Sequence, residues 1–118
     1  MWAYGWLAAT IFTCTLATLA RSDDTLTAVH QRGTLVWGAD AEGGGPYVYP
    51  DPQHPRTMIG FEAELAKLLA TELGVKDQFF QGPWQDLLEL LGTGQIDIVL
   101  NGYELTPARA GRYLHTRP

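Results

Sequence analysis

Arg109 follows Thr106 by three residues and Pro107 by two. Its guanidinium can grip a carboxylate through two parallel hydrogen bonds, which a lysine ammonium does not reproduce. Thr106 is a helix-capping type, and the fixed φ of Pro107 suits a first helical turn, so a helix is expected to start here with Arg109 inside it. Upstream, Ile96 to Leu100 is a β-branched and apolar run that reads as a buried strand of a parallel sheet, broken by Asn101-Gly102. Strand, Gly-containing loop and helix start bring unpaired backbone N–H groups and the positive end of a helix dipole to one spot, where an anion is favoured. The chemistry expected of Arg109 is the seating of a small carboxylate. The competing reading is a solvated surface arginine.

Other chemistries find little support. His30, His54 and His115 are isolated from one another with no cysteine nearby, so no metal site is expected and all three read as surface histidines. Gly43-Gly44-Gly45 is followed by no Gly-Lys-Ser or Gly-Lys-Thr and opens no Gly-x-Gly-x-x-Gly helix, which excludes a nucleotide loop. No cofactor is implied. The eight Lys and Arg residues form no run and the net charge is −5, so a basic nucleic-acid surface is absent.

The elements that must position Arg109 follow from periodicity. A short helix over Leu26–Gln31 closed by Gly33 leads into a first strand, Thr34–Trp37, which runs into Gly38-Ala39-Asp40. Asp40 to Gly60 holds four prolines and three adjacent glycines with Tyr47 and Tyr49 between them, and reads as a loop with turns. Phe61 to Leu73 is the clearest helix, with Phe61, Leu65, Leu68, Leu69 and Leu73 forming one apolar stripe and Glu62, Glu64 and Lys67 lying off it. Gly74 ends it. A second strand, Val75–Phe80, a turn at Gln81-Gly82-Pro83, and a helix through Trp84, Leu87, Leu88 and Leu91 lead to the third strand, Ile96–Leu100.

Helices alternating with strands across short connections imply right-handed βαβ units and an α/β sheet, three-layered and mainly parallel, of order 2-1-3. The chain then reverses beside strand one, and the crevice outside the carboxyl ends of strands one and three is where ligands bind in such sheets. Those ends are Asp40 and Asn101-Gly102, and Arg109 opens onto the same place.

The chain of 118 residues, 46% hydrophobic and 18% charged, is sized for one globular domain. Residues 1–20 carry no charged side chain and end in Thr18-Leu19-Ala20, the look of an export signal cleaved after Ala20, although no Lys or Arg precedes the apolar run. An uncleaved membrane anchor is the other reading. Cys14, the one cysteine, lies inside this segment, so the exported part would form no internal disulfide. The expected division is 1–20 signal peptide or anchor and 25–118 a partial N-terminal lobe, with the protein periplasmic or otherwise extracytoplasmic.

Gly33 to Asp40, Gly60-Phe-Glu through Val75, Trp84 to Asp97, and Thr106-Pro-Ala-Arg109 together resemble the extracellular solute-binding protein family 3, the polar amino-acid receptors of ABC importers. The resemblance spans roughly Leu26 to Pro118. It implies a periplasmic-binding-protein-like (type II) lobe whose partner lobe closes on one amino acid, and permease subunits in the membrane as partners, the chain acting as a receptor or as the receptor part of a receptor-permease fusion. Carried over by position, Arg109 would bind the ligand's α-carboxylate. Asn101, Gly102 and Glu104 would line the pocket beside it, Trp84 would lie against the ligand, Asp40 would reach its distal polar end, and Tyr47 would follow the pocket-side proline.

The chain departs from the family pattern in three places. Gly43 to Gly45 stand where an aromatic floor is common, leaving the floor open or supplied by Tyr47 or Trp84. Glu104 stands where a small hydroxyl residue is expected, and there it would favour a ligand with extra positive charge, touch the ligand's α-ammonium directly, or else turn to solvent or favour the helix N-terminus that follows. The chain ends at Pro118, before the second lobe that the resemblance implies, so an N-terminal part of a longer protein is expected, and one lobe alone is not expected to enclose a ligand. The same fold occurs in cyclohexadienyl and arogenate dehydratases, for which Glu104 is the nearby general-acid candidate, and in sensor domains of membrane receptors.

Overall fold

A computed structural model of the protein describes residues 24–117. The expected export segment and Cys14 lie outside the described residues. Among those residues no helix is long and apolar enough to cross a membrane.

The core is built on β1 (Thr34–Ala39), which lies between two parallel neighbours. It pairs along its whole length with β4 (Lys76–Gln81), from Thr34 opposite Lys76 to Ala39 opposite Gln81. On its other side, Trp37 and Gly38 face Ile98 and Val99 of β5 (Ile98–Val99). The order β4-β1-β5 is the expected 2-1-3.

Side chains alternate along β1, and each set has its own cover. Leu35 packs with Val29 of α1 (Asp24–Arg32) and Ala70 of α2 (Phe61–Glu72), while Trp37 and Ala39 pack with Ala66 of α2. Phe79 of β4 meets the Trp37 ring edge-on at 4.9 Å. The opposite face holds Gly38, and α3 (Leu87–Gly92) sits so close that a Cβ there would lie 2.5 Å from Ile96 Cδ1 and 3.2 Å from Leu87 Cδ2. Three layers result: helix pair, sheet, helix.

The orientation of α2 departs from the apolar stripe expected of it. Phe61, Leu65, Leu68 and Leu69 remain between 38% and 64% exposed, whereas Glu62, Ala66 and Ala70 are buried. Trp37 and Phe79 already fill the layer beneath, so the helix lies on the sheet through its small residues; leucines on that face would overpack it. The helix ends in a Schellman arrangement, with Val75 N–H donating to Ala70 O (2.9 Å) and Gly74 N–H to Thr71 O (3.0 Å). Val75 therefore closes the helix and β4 starts one residue later than expected.

Burial of Glu62 has an energetic consequence. Only 4% of the residue is exposed, Oε2 has no hydrogen-bond partner among the described residues, and burial pushes its carboxyl above the usual carboxylate value. The folded state thus holds the proton more tightly than the unfolded chain, and stability falls as pH rises from about 4.5 through the raised folded value. Glu62→Gln is expected to raise the thermal midpoint at pH 7 by a few degrees and to flatten that decline; a midpoint unchanged at pH 7 would contradict it.

Within the expected loop, Tyr49–Pro50 (β2) and Met58–Ile59 (β3) form a small antiparallel pair, and Val48 is fully buried. Strands of two residues carry no readable period, and Pro50 argues against one in sequence. The third strand is also shorter than expected: Ile96 turns inward under α3, and Asp97 accepts from Val36 N–H (2.8 Å) and pairs with Arg32 at the end of α1.

Gly60 fixes the entry to α2. Its φ is +114°, and the first N–H groups of the helix, those of Phe61 and Glu62, donate to Pro46 O and Tyr47 O (both 3.1 Å). The start of α2 is thus closed by backbone.

Candidate functional site

The carboxyl ends of β1, β4 and β5 are tied together by Asp40. Its carboxylate accepts from the N–H of Glu42 (3.1 Å), from Gln81 Nε2 (3.0 Å) and from the N–H of Trp84 (3.0 Å). Its own N–H donates to Asn101 Oδ1, and Gln81 Oε1 accepts from Ala41 N–H at 3.0 Å. The Glu42 N–H above all holds the Asp40 carboxyl below its usual value, with Gln81 and Trp84 adding to it against the opposing effect of burial. Asp40 caps the 3₁₀ turn Ala41–Gly43 and fixes where the chain re-enters at Trp84.

Trp84 carries the next layer. Its ring stacks on Tyr103 at 4.6 Å with an interplanar angle of 11°, and the Tyr103 hydroxyl donates to Trp84 O. The Arg109 guanidinium lies 5.4 Å from the Trp84 ring centre and 5.1 Å from that of Tyr103, within the range of cation–π attraction. Arg109 Nη1 donates to Glu104 O (3.0 Å) and Glu104 Oε2 (3.2 Å). Among the described residues Nε and Nη2 have no protein acceptor. Thr106 caps α4 (Pro107–Ala110) by accepting from Arg109 N–H at 3.3 Å, as its sequence suggests.

Burial pushes the Tyr103 hydroxyl above its ordinary value; Arg109 draws it down, and Asp40 and Asp86 push it up. These charges therefore surround one aromatic pair. The Arg109 side chain is 22% exposed and that of Glu104 81%.

Of the residues singled out in sequence, Asp40, Trp84, Asn101, Glu104 and Arg109 converge here. Gly102, with φ +60°, turns the chain between Asn101 and Tyr103; a Cβ there would meet nothing, so glycine answers to the backbone conformation alone. Tyr47 is placed elsewhere, its ring packed on Phe61 at the start of α2 (5.4 Å). A Cβ at Gly43 or Gly44 would meet nothing within 4 Å, and the ring beside Gly45 is that of Tyr49. Tyr103 and Gln81 were not foreseen. The signals for them in the sequence are an aromatic three residues beyond Leu100 and an amide at the end of the second strand.

A concavity of about 510 Å³ lies away from this crevice, between β3, α2 and β4, with Trp37, Met58 and Phe79 at its base and Arg56 and Lys67 at its rim. No three His, Cys, Asp or Glu side chains converge into a metal cluster among the described residues.

A doubly wound sheet with a guanidinium and an aromatic pair at its carboxyl edge defines one lobe of an α/β ligand-binding domain. The chain belongs to the bacterial extracellular solute-binding proteins, family 3, whose sequence pattern matches residues 35–118. It is 31% identical over 93 residues to the L-cystine-binding protein TcyJ of Escherichia coli (strain K12), covering 79% of this chain and 34% of that protein. It is 32% identical over 75 residues to the arginine-binding extracellular protein ArtP of Bacillus subtilis (strain 168), covering 64% and 28%. The chain thus spans about a third of the length of the curated relatives it matches.

Among solved structures it is similar to the ancestral cationic amino acid solute-binding protein AncCDT-1, with 40% identity, a TM-score of 0.67, and coverage of 74% of this chain and 37% of that one. It is also similar to the arginine-bound form of domain 1 from TmArgBP of T. maritima, with 28% identity, a TM-score of 0.65, and coverage of 71% and 64%. In that relative a first domain is bound to arginine.

Proposed function

We propose that this lobe binds the α-carboxylate of an amino acid through Arg109, as the receptor of an ABC importer working outside the cytoplasm with permease subunits in the membrane. In this reading residues 1–20 are the export signal or anchor, 25–118 the first lobe, and a second lobe completes the clamp. The observation that carries it is the Arg109 guanidinium, held beside the Trp84–Tyr103 pair at the strand ends, 5.4 Å and 5.1 Å from the two ring centres, with its Nε–Nη2 edge open. That edge matches the two oxygens of one carboxylate. The N–H groups of Gly102, Tyr103 and Glu104 have no protein acceptor among the described residues and are further donors offered to the ligand. Asp40 and Asn101 act as positioning residues, and Trp84 supplies the apolar contact.

Glu104 pairs with the Arg109 guanidinium, and Asp40 and Asp86 both act on the neighbouring Tyr103. The local excess of negative charge favours a cationic ligand. Two relatives named for arginine and for cationic amino acids support the same choice.

Calorimetric titration of the chain with L-arginine, L-lysine and L-glutamate tests the reading. The two cations are expected to bind more tightly than glutamate; absence of binding to all three would refute it. A second reading draws on a 35% identical ancestral cyclohexadienyl dehydratase. Glu104, exposed and facing a guanidinium, is the opposite of the desolvated carboxyl that a general acid needs. Prephenate in the same titration, followed for product, distinguishes the two.

A further inference from the structure

We infer that Glu104 is the charge-selecting residue of this site, because it shares Arg109 with the ligand. The inference rests on the carboxylate-binding role of Arg109. Nη1 makes two hydrogen bonds, both to Glu104, one to its carbonyl and one to its carboxylate. An incoming carboxylate therefore docks on the remaining Nε–Nη2 edge, and two carboxylates then flank one cation. That arrangement favours a ligand whose side chain is cationic over one whose side chain adds a further negative charge beside Glu104.

The neighbouring acids are not equivalent to it. Asp40 is held by three N–H donors of the protein and cannot turn toward a ligand without losing them. Glu104 has Arg109 as its one recorded side-chain partner and is 81% exposed, so its carboxylate swings from Nη1 to a ligand ammonium at little cost. Its backbone carbonyl keeps Arg109 in place while it does so. A cationic amino acid gains a partner by this movement. An acidic one meets repulsion from the same group.

The test compares L-arginine with L-glutamate on the wild-type chain, Glu104→Gln and Arg109→Ala, by calorimetry at low and at 0.5 M salt. Glutamine keeps an acceptor for Nη1 and removes the charge. The arginine-to-glutamate affinity ratio is expected to fall about three- to tenfold in Glu104→Gln, combining a lost attraction and a lost repulsion each of the size found for exposed charges. The wild-type ratio is expected to shrink with salt. If Arg109→Ala abolishes binding but the ratio in Glu104→Gln stays within twofold of wild type, the inference is overturned and the role of Arg109 stands. If Arg109→Ala binds arginine as tightly as wild type, or no chain binds either amino acid, both fall. Because Glu104 is exposed, circular dichroism of Glu104→Gln is expected to match wild type, which ties any change to charge.

Discussion

Arg109→Ala is expected to weaken amino-acid binding by about 30-fold or more, enough to take it out of calorimetric range, while the chain remains folded. Removing a charged, hydrogen-bonded partner from an enclosed carboxylate typically costs about 2–5 kcal/mol, and each 1.4 kcal/mol is a factor of ten. The side chain caps no helix and belongs to neither core cluster, since its contacts are Glu104 and the faces of Trp84 and Tyr103. Its loss leaves Thr106 capping α4 through the backbone. Arg109→Lys is the informative companion. It keeps the charge and loses the planar fork, so it is expected to recover only a minor part of the affinity. Full recovery with lysine would mean that the site reads charge alone.

Gly60→Ala is expected to cost about 3–5 kcal/mol of stability by urea denaturation, a large share of what a domain of this size possesses. A Cβ at this position would stand 2.2 Å from Tyr47 O, 2.7 Å from Tyr47 C and 2.9 Å from Pro46 O. These are backbone atoms, and the two carbonyls accept the N–H groups of Phe61 and Glu62. Relief of the clash requires the Pro46–Tyr47 segment to retreat, which breaks both bonds at about 1 kcal/mol each. A φ of +114° adds about 1–3 kcal/mol of strain for any residue with a side chain. A loss below 1 kcal/mol would mean that the segment moves freely, contrary to the burial of Val48 beside it.

Sequence and structure agree most closely where a signal is local and repeated. The three sheet strands, their 2-1-3 order and the Thr106-Pro107 helix start are all present, because apolar runs with short connections leave few topologies open. The expected crevice gathers Asp40, Asn101 and Arg109, since strand ends in such a sheet have one place to meet. Disagreement begins where volume rather than hydrophobicity decides. The stripe of Phe61, Leu65, Leu68 and Leu69 outscores Ala66 and Ala70 on any apolar scale, yet Ala66 fits above Trp37 and Ala70 against Leu35. Tyr103 and Gln81 escape sequence reading for another reason: their partners, Trp84 and Asp40, lie 19 and 41 positions away. Contacts of that kind leave no period in the chain.

β1 precedes its sheet partners in the chain, and both its ladders are with residues made long afterwards: Thr34 waits for Lys76, and Trp37 for Ile98. No hairpin gives it an early neighbour. A chain emerging amino end first must therefore carry Leu35 and Trp37 unburied until most of the lobe has been synthesised, and closing such distant pairs is slow. Delayed folding leaves the apolar strand exposed for an extended interval, during which it is open to capture by chaperones or by other nascent chains.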